Sequence, residues 1–571
     1  MRSRLLEDAR DGTPWLPVRA DAGWVLVGPA VHPSRPGCPA CVQRRRDGNL
    51  PDAAARRALG RDDSGSEPLP VVSALVAALV REEAESGFAR TAGALLRVSA
   101  STGAVTRHRV LPDPLCPDCA VPAEERPRRL TAAAAPKPDP ARFRTRVLDD
   151  ALEELYVDAE TGLIGSVGVG AAGEVPWAVA RLAPGRTGDD GRHGYGRARD
   201  VRSARLSAIT EALERYSGVC PRGRRPVRAA YSDVAGHALD PRTLGLYPDD
   251  WYDRPGFRYT RFDPDTETSW VWGYSFGTRR PLLVPESCAY YGSAEPAWAY
   301  ECSNGAALGG SLTEAILYGL LEVAERDAFL LTWYGRLPAP KVDLDSVADR
   351  WIPLAATRLR QTSGYEVMAF ATLMEQRVPI FWVLALDRLG GEGRPHLLCA
   401  AGAHLDPEQA LRGALLELFG SVGAPADLSA AFLDDADQVR EMDHHRRLYW
   451  HPDAWPRLGF LPVDGPGRPL AELAEPWPAH EDLAEDLAEL AGRYLATGLD
   501  VIAVDTTCAE LRAGGFACAK VIVPGAVPMT FGHRHRRTHG LPRLLSVPRL
   551  LGFRDRDLRP EELNPYPHPF P

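Results

Sequence analysis

The stretch Ser303–Phe329, SNGAALGGSLTEAILYGLLEVAERDAF, most constrains what this chain can fold into. A glycine-rich turn (Gly305, Gly309, Gly310) runs into Ser311, which precedes Glu314 with the spacing of a helix N-cap and its capping box. The helical pattern that follows is apolar around most of its circumference: Ile316, Leu317, Leu320, Leu321, Val323 and Ala324. At about 100° per residue, Glu314 and Glu325 fall within roughly 20° of each other and Glu322 within roughly 80°. On an average helix such carboxylates form a solvated acidic face. Here the apolar remainder predicts burial, and buried carboxylates require cations, either arginine or metal.

A second segment, RSARLSAITEALERYSG, repeats the theme. Ser207, Glu211 and Glu214 share one helical face, followed by Arg215, while Leu206, Ile209 and Leu213 lie off it. An exposed stripe with an internal Glu–Arg pair is the alternative for this helix alone. Two helices with carboxylates on one face, each ending in Glu-Arg, point instead to a shared task. Clustered glutamates fit hard, oxygen-seeking cations, and Mg²⁺ in turn fits nucleotide phosphates.

A chain of 571 residues corresponds to about three to four domain equivalents. Its net charge of -9 argues against a nucleic-acid binder. Basic runs such as Arg44–Arg46 and His533–Arg537 are expected to be solvated loops or peptide and phosphate contacts. No apolar run approaches ~20 residues and no signal-peptide pattern opens the chain, so a cytoplasmic protein without membrane contact is expected.

The 10 cysteines belong to a chain with no export signal, which favours metal ligation and buried thiols over a disulfide framework. Cys38-x-x-Cys41 and Cys116-x-x-Cys119 supply four thiolates at a spacing that suits a closed, structural Zn²⁺ site. The other six thiols are expected to fill cores.

In order, residues 1–130 read as a zinc-binding unit: a strand and turn at Gly23–Val31, a helix over Val71–Arg81, and a hairpin turning at Ser101–Gly103. Residues 131–140, TAAAAPKPDP, read as a linker, and 141–571 as the main body. Within the body, Gly165–Gly173 reads as a flexible turn between strands, and Arg197 and Arg199 as solvated or phosphate-facing. SWVWGYSF reads as a strand, and two further strands are joined by a Gly390–Gly393 turn. Asp406 leads into a helix carrying Arg412 and Glu417. The histidines of Met442–His451 lack a second ligand cluster, so local hydrogen bonding or exposure is expected. The closing NPYPHPFP favours an extended polyproline conformation.

Ser207–Arg215, Ser303–Asp327, Asp406–Glu417, Ala503–Thr507, Lys520–Met529 and the Pro-rich tail together resemble the YcaO family of ATP-dependent amide-activating enzymes, over roughly the last three quarters of the chain. Within that family the nearest likeness is to azoline-forming cyclodehydratases of ribosomal peptide pathways. The resemblance implies an α/β (α+β) fold with helices packed on mixed sheets, and ATP with Mg²⁺ as cofactors. Glu211, Glu214, Glu314, Glu322 and Glu325 would gather the metal, with Glu214, Glu322 and Glu325 as its ligands. Arg215 and Arg412 would steady phosphates, and Ser207 and Asn304 would border the nucleotide. At the position where family members carry Gln-x-x-x-Arg, this chain has Glu408 before Arg412. The tail, through Pro569 and Pro571, would help position the reacting peptide.

The first unit resembles the tail half of a ThiF-like domain. It lacks the adenylate-binding front half and any winged-helix peptide clamp, so the likeness implies docking rather than adenylation, and a separate partner that binds the leader of a precursor peptide. Homodimerisation follows from family analogy only. Thioamide or macroamidine formation at the same ATP site is the alternative chemistry; a catalytically silent docking scaffold is the alternative class.

Overall fold

The computed structural model describes residues 13–21, 23–32, 35–50, 70–130, 134–170, 175–183, 193–390, 393–423 and 431–570. Elements named below are the helices α1 (Pro39–Asn49), α2 (Val201–Gly218), α3 (Leu312–Gly335), α4 (Pro407–Gly420) and α5 (Met442–Trp450).

The first unit is a four-stranded antiparallel sheet in sequential order, Val18–Asp21, Trp24–Val27, Ala94–Ser99 and Val105–Arg109. Strand alternation sorts its residues onto two faces. Leu26 and Leu95 join α1 and the cysteines on one face; Val25, Val27, Leu96 and Val98 meet Val72 and Leu79 of the helix Pro70–Glu85 on the other. The hairpin turns at Gly103, whose φ of +71° suits glycine.

The body holds one six-stranded sheet and two three-stranded meanders. Their strand pairs are all antiparallel; among the described residues, parallel pairing occurs in the two short pairs Ala123–Glu124 with Arg224–Arg225 and Val342–Asp343 with Arg468–Pro469 and in the single bridges Val157 to Ile164 and Ala238 to Leu283. The six-stranded sheet runs Val227–Ala230, Glu267–Ser275, Ile502–Asp505, Ala517–Ile522, Ala306–Gly309, with Arg280–Pro285 also paired to Glu267–Ser275.

α3 explains its own composition. Leu317, Leu320, Leu321 and Phe329 share a core with Ala503, Ala519 and Val521 of the large sheet, and with Phe370, Trp382 and Leu384 of the meander Tyr365–Ala403. A helix covered on both sides is apolar all round. α2 is covered in the same way, between Ala178 and Ala180 of the meander Ile164–Arg197 and Leu308 and Cys518 of the large sheet.

Each meander runs straight into a helix that packs back on it, in matching register. A Cβ added at Gly196 would collide with the backbone of Ala204 and Ala208 in α2; one added at Gly402 would collide with that of Ala410 and Ala414 in α4. Asp200 and Asp406 cap the two helices, accepting from the backbone N–H groups of Ser203 and of Glu408 and Gln409. This close approach also corrects the reading of the glycine-rich segment. Ile164–Gly170 is a strand, not a turn, and its glycines admit neighbours: Asn49 and Arg181 at Gly165, the Trp177 ring at Gly170. Residues 171–173 of that segment lie outside the described residues.

The described part of the expected linker lies against the body. Lys137, with no exposed side chain, pairs with Asp486 at 2.9 Å, and the Ala135 N–H donates to Asp482. Thr131–Ala133 lie outside the described residues. Among the described residues no helix is long and apolar enough to cross a membrane.

Candidate active site and zinc centre

α2, the Ala306–Gly309 strand, the start of α3 and the segment Pro138–Leu148 enclose a cleft of about 640 Å³. Ser207, Glu211, Glu214 and Glu314 line it together with Arg142, Arg144 and Arg146, whereas Glu322 and Glu325 are not among its walls. Tyr195, Tyr318 and Phe516 complete its aromatic wall. The arginines, spaced two apart in RFRTR, carry the period of an extended segment. That alternation was visible in the sequence but sits beside the prolines of the expected linker.

Glu214 accepts from the Leu308 N–H at 3.0 Å and Glu322 from the Gly305 N–H at 3.1 Å, so each carboxylate is tied to one end of the short strand before α3. Burial, then the charges of Glu322 and Glu211, push the Glu214 carboxyl well above the usual carboxylate range. Burial raises Glu322 as well, and lifts Glu325 to about 7, with Glu417 adding to the effect. Arg326 is the near cation, 3.9 Å from Glu322 and 3.4 Å from Glu325, beyond ordinary hydrogen-bond length for either. The side chains of Glu322 and Glu325 remain 27% and 13% exposed, so the row is open to solutes.

Glu214, Glu322 and Glu325, expected as magnesium ligands, do not converge on one point. Among the described residues, only the four cysteines form a group of three or more His, Cys, Asp or Glu whose donor atoms lie within 4.8 Å of one another. Glu214 on α2, Glu322 and Glu325 on α3 and Glu417 on α4 form a succession in which Glu322 raises the carboxyls of Glu214 and Glu325, and Glu417 raises that of Glu325. Mutual repulsion and the separate backbone anchors hold them apart.

Glu314 is also different from expectation. One oxygen takes Arg144 at 3.0 Å; the other takes the Thr145 N–H and hydroxyl at 2.8 and 2.5 Å. Its carboxylate organises the arginine segment rather than standing open to metal. Only half of the capping box forms: Ser311 accepts from the Glu314 N–H, but the Glu314 side chain is committed to Thr145. Arg215 closes on Glu211 at 2.7 Å. Arg412 pairs with Asp349 at 2.7 Å and is not among the cleft walls. Neither Arg197 nor Arg199 lines the cleft; Arg199 lies over the Trp351 ring. Asn304 is held through its carbonyl by Lys520, while its side-chain Oδ1 is buried without a partner, an acceptor left for something absent from the chain itself.

The tail is bound inside the protein. Its carbonyls cannot bond to one another in an extended conformation, and each takes a side-chain donor instead. Trp333 Nε1–H donates to Tyr566 at 3.0 Å, the Tyr449 hydroxyl to Pro567 at 2.6 Å, His445 Nδ1–H to His568 at 2.8 Å, and the Cys399 thiol to Pro569 at 3.2 Å. His445 Nε2 accepts from the Gly532 N–H, which settles its neutral tautomer; the hydrogen bonding of this histidine is long-range rather than local, tying α5 to Gly532 and to the tail. Phe570 is fully buried, with Arg326 over its ring at 4.1 Å. Pro571 lies outside the described residues.

In the first unit, Sγ atoms of Cys38 and Cys116 lie 3.6 Å apart and those of Cys41 and Cys119 3.4 Å apart. Tetrahedral thiolates around zinc sit about 3.8 Å from each other. Cys38 caps α1 and Cys41 lies in its first turn, where the helix N-terminus favours thiolate; the Asp113 N–H donates to Cys41. The residues present fit zinc in a closed, structural site.

The basic runs are solvated only in part: Arg44 and Arg534 are exposed, but Arg45, Arg46 and Arg537 are buried. Arg45 is buried against Glu510 at 2.9 Å and the Tyr216 hydroxyl; Arg46 is buried between Glu160 at 2.8 Å and Asp21 at 2.6 Å. They latch the zinc unit to the body, Arg45 reaching α2 itself. Arg537 is likewise buried, on Glu301 and the Tyr300 carbonyl. Charge runs read as loops because their partners are hundreds of residues away.

This fold is a mixed α/β architecture with helices packed on several sheets. A family model described as YcaO cyclodehydratase, ATP- and Mg²⁺-binding, matches residues 195–527, and the chain belongs to that family. It is 30% identical over 324 residues to an uncharacterized protein of Methanothermobacter thermautotrophicus (53% of this chain, 80% of that one). It is 25% identical over 335 residues to an uncharacterized protein in the tfuA 3' region of Rhizobium leguminosarum bv. trifolii (54% and 71%). Two solved heterocyclases share the fold over 100% of this chain. One, in complex with substrate and cofactor, has a TM-score of 0.78 at 21% identity with 79% of its chain covered. The other, TruD, has a TM-score of 0.70 at 22% identity with 77% covered.

Proposed function

We propose that this protein is an ATP-dependent cyclodehydratase that converts Cys residues, or Ser and Thr residues, of a ribosomally made precursor peptide to azolines. The observation that carries this reading is the cleft that Arg142, Arg144 and Arg146 line together with Glu211 and Glu214, with Glu322 close enough to Glu214 to raise its carboxyl. The substrate thiol or hydroxyl, losing its proton, adds to the preceding carbonyl carbon and closes the five-membered ring; the resulting oxyanion takes the γ-phosphoryl group of ATP with release of ADP; departure of phosphate and of the amide proton then forms the C=N bond of the azoline. Such chemistry calls for positioning and charge neutralisation rather than a protein nucleophile.

Glu214, Glu322 and Glu325 would hold Mg²⁺, which when bound neutralises phosphate charge. Arg142, Arg144 and Arg146 line the wall against which polyphosphate would lie, with Glu314 keeping that wall in place. Ser207, Glu211, Arg215 and Asn304 border the site. Arg412 would act on it only after leaving Asp349. The zinc unit serves structure and docking, and a separate protein recruits the leader of the precursor.

The test is mass spectrometry of the cognate precursor with ATP, Mg²⁺ and the leader-binding partner. Loss of one water per modified residue supports the proposal. Exchange of oxygen for sulfur identifies thioamidation, and an unmodified peptide with ATP intact identifies a scaffold; either result overturns it.

A further inference from the structure

The tail seat ends on the carboxylate row. Phe570 lies between Arg326 and the Phe329 ring, at 4.1 Å from the guanidinium carbon and 4.7 Å from the Phe329 centroid. Arg326 is the cation nearest to Glu322 and Glu325, yet it stands 3.9 and 3.4 Å from them. Glu322 lies one helical turn before Arg326, the spacing at which the two side chains ordinarily meet, yet the guanidinium stops 3.9 Å short, so something else holds its plane. A buried aromatic face does so, because the cation gains from the ring and loses that gain by turning away. The ring in turn is fixed by the four donors that grip Tyr566, Pro567, His568 and Pro569.

We propose that Phe570 is a positioning residue: stacked under Arg326, it holds the guanidinium off Glu322 and Glu325 and so keeps their oxygens available to magnesium. This rests on the reading of those glutamates as the metal ligands. It follows that the tail acts on the site through an aromatic–cation contact, and that an aliphatic residue of similar bulk at position 570 cannot replace it.

The test is calorimetric titration of Mg²⁺ into the full chain saturated with a non-hydrolysable ATP analogue. The expected result is that Phe570→Leu weakens Mg²⁺ binding about tenfold, that Phe570→Tyr or Phe570→Trp does not, and that Arg326→Gln added to Phe570→Leu restores it. Tyr449→Phe, which loosens the seat at a distance from Arg326, gives a smaller loss and serves if Phe570→Leu does not fold. Wild-type affinity in Phe570→Leu, or in Tyr449→Phe when that variant must stand in, overturns the proposal, as does a double variant no better than the single. Absence of Mg²⁺ binding by the wild type, or unchanged binding in Glu325→Gln, overturns the ligand assignment beneath it.

Discussion

The Leu308 N–H donates to the Glu214 carboxylate at 3.0 Å, tying α2 to the strand that leads into α3. This bond holds a carboxyl in place where its neighbours, Glu322 and Glu211, repel its charge.

Replacing Glu214 by Gln keeps an acceptor for Leu308 and removes the charge. The fold should survive, while ATP-dependent dehydration falls by about 10²–10³-fold, the scale of losing one charge-stabilising group. Circular dichroism and a timed assay for water loss separate the two. Normal turnover in this variant would place the metal elsewhere.

Glu325→Ala should likewise abolish dehydration and leave an intact fold. Because the Glu325 carboxyl is raised to about 7 by burial, its folded value lies above its unfolded one. Its favourable contribution is therefore present at acid pH and lost as pH rises through about 7. Magnesium answers that charge, so the Mg²⁺-induced gain in Tm should be larger near about pH 8 than near about pH 6. An equal gain at both, or the same pH dependence in Glu325→Ala, would contradict the assignment.

Zinc should be found at one ion per chain by elemental analysis and disappear in Cys116→Ser. Loss of the metal should lower Tm, since the four thiols join α1 to the loop after the Val105–Arg109 strand. Metal-free wild-type protein of unchanged Tm would refute the site.

Arg45→Met strands Glu510 without its cation and should cost about 3–5 kcal/mol. Adding Glu510→Leu should recover much of that loss, because a buried pair replaced on both sides is often neutral. Denaturant titration of the single and double variants measures it; additive losses would mean that the two residues do not act as a pair.

Much of the site was legible because helical period carries it. Glu214, Glu322 and Glu325 lie on the two helices that spacing and capping predicted, and Ser311 caps α3 as expected. What escaped is set by distance in sequence. Glu314 looked like a metal ligand because its partners, Arg144 and Thr145, lie some way upstream. Arg45 and Arg46 looked solvated because Glu510 and Glu160 are remote. Ile164–Gly170 looked like a turn because glycine content signals flexibility locally, whereas here it admits a ring and a neighbouring helix.

The sandwiching of α3 bears on how this protein can be taken apart. Its residues complete the interiors of two separate sheets at once, so neither half has a finished interior without it. A backbone cut placed between the Ala306–Gly309 strand and the Tyr365–Ala371 strand should yield fragments that stay insoluble apart and regain order only when co-expressed.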